Sequence, residues 1–123
     1  MIIVLFRSKL TPTAAATGYG DMSDEMVTLA KSMPGFIDVK SFKADDGERL
    51  TVVWWEDEAT LRAWREQPRH REAQRMGRAQ WYEYYKMDVA TVVRRNDFDR
   101  PDHARESEAA VQTLQGAGDP IAS

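Results

Sequence analysis

One histidine, a tryptophan six residues before it, a cluster of tyrosines and a run of arginines are where this chain could do chemistry. An imidazole titrates near neutral pH, so His70 could serve as a general base or as the axial ligand of a haem. A local hydrogen bond after Pro68 would suit the same ring. Trp64 falls on the apolar side of an amphipathic helix, one turn from Leu61, where an indole anchors a core or faces a bound molecule. Trp54 and Trp55 are neighbours on a strand and must point to opposite faces. The pleat treats the two alike; we take Trp55 as the one that lines a cleft. Tyr82, Tyr84 and Tyr85 follow on the last strand, where a phenol can hydrogen-bond a quinone oxygen or donate a proton. Strict alternation places Tyr82 and Tyr84 on one face, and Tyr85 with Trp81 on the other. Arg62, Arg65, Arg69, Arg71, Arg75 and Arg78 crowd into seventeen residues. Most of them suit a solvated helix face with pairs such as Arg62–Glu66. Arg78, just past Gly77, is expected to turn inward, where its planar fork could hold an oxyanion.

These residues need a scaffold, and the hydrophobic pattern outlines one. Ile2–Phe6 is an apolar, β-rich run suited to a central strand. Thr11-Pro12 reads as a helix cap with proline at the first position, and Tyr19, Met22, Met26, Leu29, Ala30 and Met33 continue at helical spacing. Pro34-Gly35 ends that helix. Ile37 and Val39 alternate with Asp38 and Lys40 as a half-exposed strand, and the turn Ala44–Glu48 leads to a strand over Leu50–Trp55. Asp57 caps the next helix, Pro68 interrupts and restarts it, Met76 or Gly77 closes it, and Trp81–Arg94 forms the last strand. The order β-α-β-β-α-β is the ferredoxin-like signature of an α+β domain, with helices on one face of a four-stranded antiparallel sheet. Strands apolar on both faces require a cover on the other face, and a second copy supplies it. The expected assembly is a homodimer.

Composition bounds the rest. The chain has 123 residues, enough for one domain and an appendage. Residues 1–95 form that domain. Residues 96–123 carry net charge −4 and only four large apolar side chains, so they read as an acidic tail, with a short helix around Glu106–Gln115. With no cysteine there are no disulfides, thiolate chemistry or Cys-based metal sites, which fits a reducing, cytoplasmic setting. Scattered acids and one domain histidine make no metal site, and neither a phosphate loop nor a Ser-His-Asp order is present. A net charge of −3 argues against nucleic acid as a partner, and no apolar run is long enough to span a membrane.

Met33-Pro34-Gly35-Phe36, Trp54-Trp55 before an acidic helix start, Trp64-Arg65, Pro68-Arg69-His70-Arg71, Gly77-Arg78 and Trp81-Tyr82, in that order, resemble the antibiotic biosynthesis monooxygenase family. The likeness covers residues 1 to about 95. It implies a dimeric α+β barrel. It also implies oxidation of a small aromatic or quinol-like substrate by dioxygen without flavin or metal. In that chemistry His70 or a cleft tyrosine takes a phenolic proton, and Arg or an indole N–H steadies the oxyanion. Trp64 would line the substrate cleft. The family's haem-degrading branch uses an Asn on the first strand, a Trp and a His. Here Trp64 matches the Trp, while apolar Phe6 stands near the Asn position. Gln74 stands about three helical turns beyond the Trp, where the His belongs. Haem binding or degradation is therefore the alternative, beside a non-catalytic small-molecule-binding or stress-response module on the same fold.

Overall fold

The computed structural model describes residues 1–101. Strand β1 (Ile2–Leu10) buries Ile2, Val4, Phe6 and Ser8 at every second position, while Ile3 and Leu5 are only half-buried. This period of two marks a strand with one face fully covered. A single 3₁₀ turn (Ala15–Thr17) leads to α1 (Tyr19–Ser32), then β2 (Phe36–Lys43), β3 (Arg49–Trp55), α2 (Glu58–Glu66) and α3 (Pro68–Met76). A five-residue π-turn (Gly77–Trp81) feeds β4 (Tyr82–Thr91). The strands lie in the order β2-β3-β1-β4, every neighbour antiparallel. This is the ferredoxin-like α+β fold. None of the described helices is long and apolar enough to cross a membrane.

The helix starts follow from their caps. Asp57 accepts from the Thr60 N–H at 2.8 Å, and Thr60 Oγ1 accepts from the Asp57 N–H at 3.3 Å, a reciprocal box that fixes where α2 begins. Gln67 caps α3 by accepting from the His70 N–H at 2.9 Å, with Pro68 at the first helical position. Gly35 has φ +85°, and a Cβ there would overlap the Thr60 side chain. Its carbonyl accepts from the Glu56 N–H at 2.8 Å. The junction from α1 to β2 is thus pressed against the start of α2 by a residue without a side chain.

Several local expectations need correction. The first helix begins at Tyr19, because Gly18 takes a left-handed conformation (φ +93°) and the stretch after Pro12 closes into turns. The helix does end at Met76, with Gly77 after it as expected, but Gly77 keeps helical φ and ψ, and the coil widens into the π-turn that carries Trp81. The last strand therefore starts at Tyr82 and ends at Thr91, and Val93 lies beyond it, fully exposed. Ile37 is the extra residue of an irregularity between Phe36 and Asp38, so it is 42% exposed while Val39 is buried. The helix expected near Glu106–Gln115 lies outside the described residues.

Candidate active site

The helix-facing side of the sheet holds two aromatic groups at opposite ends of β1. At its start, Trp55 pairs in register with Ile2. Trp55 stacks on Trp64 with ring centroids 6.1 Å apart, and Trp64 stacks on His70 at 3.9 Å and 17°. Phe36 meets Trp55 edge-on at 5.6 Å. Trp55, Trp64 and His70 have no exposed surface. His70 Nδ1 donates to the Trp64 carbonyl at 3.0 Å. A carbonyl can only accept, so that bond holds the ring proton on Nδ1 and makes Nε2 the basic nitrogen. The Trp55 indole N–H is buried with no hydrogen-bond partner among the described residues. Leaving a buried donor unpaired costs about 1–3 kcal/mol, so it calls for an explanation. Trp54, its neighbour, sits half-buried on the opposite face of the sheet.

Toward the other end, Phe6 packs against Tyr82 (5.6 Å) and Tyr85 (5.3 Å), and Tyr19 meets Trp81 and Tyr82 edge-on. Trp81 Nε1 donates to the Thr17 carbonyl and hydroxyl at 3.2 and 3.1 Å, which stitches the π-turn to the segment before α1. Tyr82 and Tyr84 do not share a face. Lys9 pairs with Tyr84 but Leu10 with Tyr82, so Glu83 is an extra residue in β4 and the alternation slips there. Tyr82 consequently joins Phe6 in the interior. Arg78 is another correction: it lies exposed on the π-turn and does not turn inward.

The structure therefore brings His70, Trp64 and Trp55 together, and Phe6 with Tyr82. It separates the two groups, and it leaves Tyr84 and Arg78 out of both. Tyr19, Tyr85 and Trp81 complete the second group. Tyr19 was visible in the sequence only as part of the apolar stripe of α1, which carries no sign of what it faces.

On the face of the sheet turned away from the helices, Glu48 from the β2–β3 turn binds Arg7 (2.8 and 3.3 Å) and accepts from the Tyr84 hydroxyl at 2.6 Å. Hydrogen bonds from Arg7 first, then Tyr84, hold the Glu48 carboxyl below its ordinary range. The bond to Glu48 in turn pushes the Tyr84 phenol up. A depressed carboxylate stabilises the fold above its unfolded pKa and loses that contribution as pH falls; a raised phenol loses its share as pH rises. The tie is intact at neutral pH and released by acid. Glu48→Gln is expected to flatten the acid limb of stability below about pH 5, leaving the parts due to Asp57 and Glu25, whose carboxyls are also depressed. Urea unfolding across that range measures it, and an unchanged acid slope would contradict the assignment.

Residues 1–76 match the sequence profile of the family described as antibiotic biosynthesis monooxygenase. The chain is 40% identical over 82 residues to the uncharacterised protein YqjZ of Bacillus subtilis (strain 168), an alignment that spans 67% of this chain and 72% of that one. Among solved structures, Rv0793 from Mycobacterium tuberculosis superposes with a TM-score of 0.67 at 15% identity, covering 78% of this chain and 98% of that one. SnoaB from Streptomyces nogalater, described as a cofactor-independent oxygenase, superposes with a TM-score of 0.63 at 14% identity, covering 76% and 94%.

Proposed function

Because this chain belongs to the antibiotic biosynthesis monooxygenase family, we propose that it is a monooxygenase that oxidises a small aromatic or quinol-like substrate with dioxygen, without flavin or metal. The observation that carries this reading is the unpaired indole N–H of Trp55 beside the Trp64–His70 stack. A substrate oxygen is the acceptor that donor lacks. His70, with its proton held on Nδ1, is the base that takes a phenolic proton through Nε2. The resulting anion is electron-rich enough to reduce dioxygen directly, so the protein's part is binding, deprotonation and steadying the oxyanion. Phe6 and Tyr82 line the far end of the same helix–sheet interior. That interior is filled by its own side chains here, so a substrate has to displace some of them to reach the Trp55 N–H. SnoaB, a structural neighbour described as a cofactor-independent oxygenase, is consistent with this chemistry.

Haem fits these residues poorly. His70 has one ring face against Trp64 and no exposed surface, and Phe6 offers no donor on β1. We assign no step to that group.

The sheet face turned away from the helices, which no other described element covers, has Ile3, Leu5, Leu50 and Trp54 half-buried and Phe42 exposed, and it is the proposed surface for a second copy of this chain. The proposed setting is the cytoplasm. Oxygen uptake with a panel of hydroquinones and anthrone-type phenols tests the activity, beside sedimentation at micromolar concentration. The expected result is substrate-dependent uptake that survives chelator, from a dimer. Uptake no faster than autoxidation across the panel, by folded protein, would overturn the oxygenase reading. A stable monomer would overturn the pairing.

A further inference from the structure

The arginines of the second helical segment are concentrated in a chain that is otherwise acidic. The seventeen residues from Arg62 to Arg78 carry net charge +4, which leaves −7 on the rest of the chain. Within that stretch Arg69 is already paired, with Glu25 and with Glu72. Arg62, Arg65 and Arg71 are exposed and form no ion pair among the described residues. The helical spacing favours an Arg62–Glu66 pair, one turn apart on α2, yet that pair is not formed.

The joint between the two helices gathers these groups. Gln67 takes an extended conformation (ψ +127°) between α2 and α3, and the chain turns there. The turn sets Arg62, Arg65 and Glu66 of α2 beside Arg71 and Gln74 of α3, around a hollow of about 320 Å³. Every residue of its wall is polar or charged. Three guanidiniums against one carboxylate give the wall a net charge of +2. A phosphomonoester carries about −1.5 to −2 at neutral pH, so the charges match. Guanidinium forks bind phosphate oxygens two at a time, and the half-buried Gln74 adds an amide donor. The volume lies at the small end of ligand sites. A long polyanion would overrun the patch onto the acidic remainder of the surface, so the charge distribution favours a compact ligand.

We propose that this hollow binds the phosphate group of a small phosphomonoester. Arg62, Arg65 and Arg71 hold the phosphate oxygens, and Gln74 donates from its amide. Glu66 is the one opposing charge and limits the affinity. The site is separate from the aromatic stack: Trp64 and His70 are fully buried and take no part in its wall. Its ligand binding does not depend on whether the protein is an oxygenase.

Glycerol 2-phosphate is the probe, with inorganic phosphate as the bare anion and acetate as a monoanion at equal ionic strength. Each is titrated into the full chain and followed by amide NMR shifts. Glycerol 2-phosphate and phosphate are expected to bind saturably, with shifts centred on Arg65, Arg71 and Gln74, and to weaken as salt rises. Acetate should bind at least tenfold more weakly. Arg65→Ala combined with Arg71→Ala removes one guanidinium from each helix and should weaken glycerol 2-phosphate at least tenfold. Both side chains are exposed, so the fold should persist, as an unchanged spectrum elsewhere will show. Lys9→Ala combined with Lys43→Ala makes the same change of charge at exposed positions on β1 and β2, and should leave the affinity within twofold. Glu66→Gln should tighten binding about threefold by removing the opposing charge. Shifts centred elsewhere, equal binding of acetate, full affinity in the arginine variant or no gain in Glu66→Gln would overturn the proposal, as would no saturation by about 10 mM. A single-stranded oligonucleotide that bound the same residues at least tenfold more tightly would overturn it too, in favour of a nucleic-acid surface.

Discussion

Trp64→Ala should destabilise the protein by about 3–5 kcal/mol, the range for removing a large aromatic from a packed core. Trp64 has no exposed surface and is sandwiched between Trp55 and His70, so its loss leaves a void with rigid rings on two sides. A site of that kind cannot collapse cheaply. Trp64→Phe keeps an aromatic body and should cost roughly half as much. His70→Ala should also destabilise, by about 1–3 kcal/mol, since it removes a stacked, buried ring. The Trp64 carbonyl keeps one partner in that variant, the Gln67 N–H at 3.2 Å, so the penalty is mainly lost packing. Urea unfolding measures all three changes. If His70 were only a base in an open cleft, its removal would fall within about 0.5 kcal/mol. Because stability and chemistry are joined at this residue, activity must be expressed per folded molecule. On that scale His70→Ala should still lose most oxygen uptake, whereas Trp64→Phe, which keeps the base, should retain more.

The fold was legible because β1 and β3 are continuous apolar runs, and because Asp57, Pro68 and Pro34-Gly35 mark helix ends by their chemistry. What the sequence hid were departures from strict period. The extra residue at Glu83 put Tyr82 and Tyr84 on opposite faces, and the one at Ile37 turned an apolar side chain outward. Both depend on how two strands meet, which a single strand's pattern does not encode. The π-turn at Gly77–Trp81 is similar: glycine there reads as a stop, yet the turn persists because Trp81 is tied to Thr17 and its carbonyl accepts from the Thr11 N–H.

The candidate site was legible in its members but not in its geometry. His70, Trp64 and Trp55 were each identifiable by type. Their joining into one stack required knowing that α3 restarts at Pro68 with Gln67 as its cap, which swings His70 back over the last turn of α2.

The same dependence of the site on a distant contact underlies the expected effect of Gly35→Ala. Gly35 holds φ +85°, which costs an L-residue about 1–2 kcal/mol. Its new methyl would also fall inside contact distance of the Thr60 side chain, with the Cβ of Thr60 among the atoms met, so rotating the side chain does not relieve the overlap. Displacing the start of α2 adds about 1–3 kcal/mol, the scale of overpacking a filled site. The sum is a loss of about 2–5 kcal/mol by urea unfolding. Gly47→Ala is the internal control, because Gly47 has nearly the same φ, +89°, but nothing within 4 Å of the added carbon. It should lose only the conformational part, about 1–2 kcal/mol. Equal losses in the two variants would mean that the helix yields freely and that Gly35 does not set its position. The expected difference between them, in contrast, reports strain at the capping box of α2, the helix that carries Trp64. Gly35→Ala should therefore disturb the tryptophan near-ultraviolet signal of the Trp55–Trp64 stack in the folded state, and Gly47→Ala should leave it unchanged.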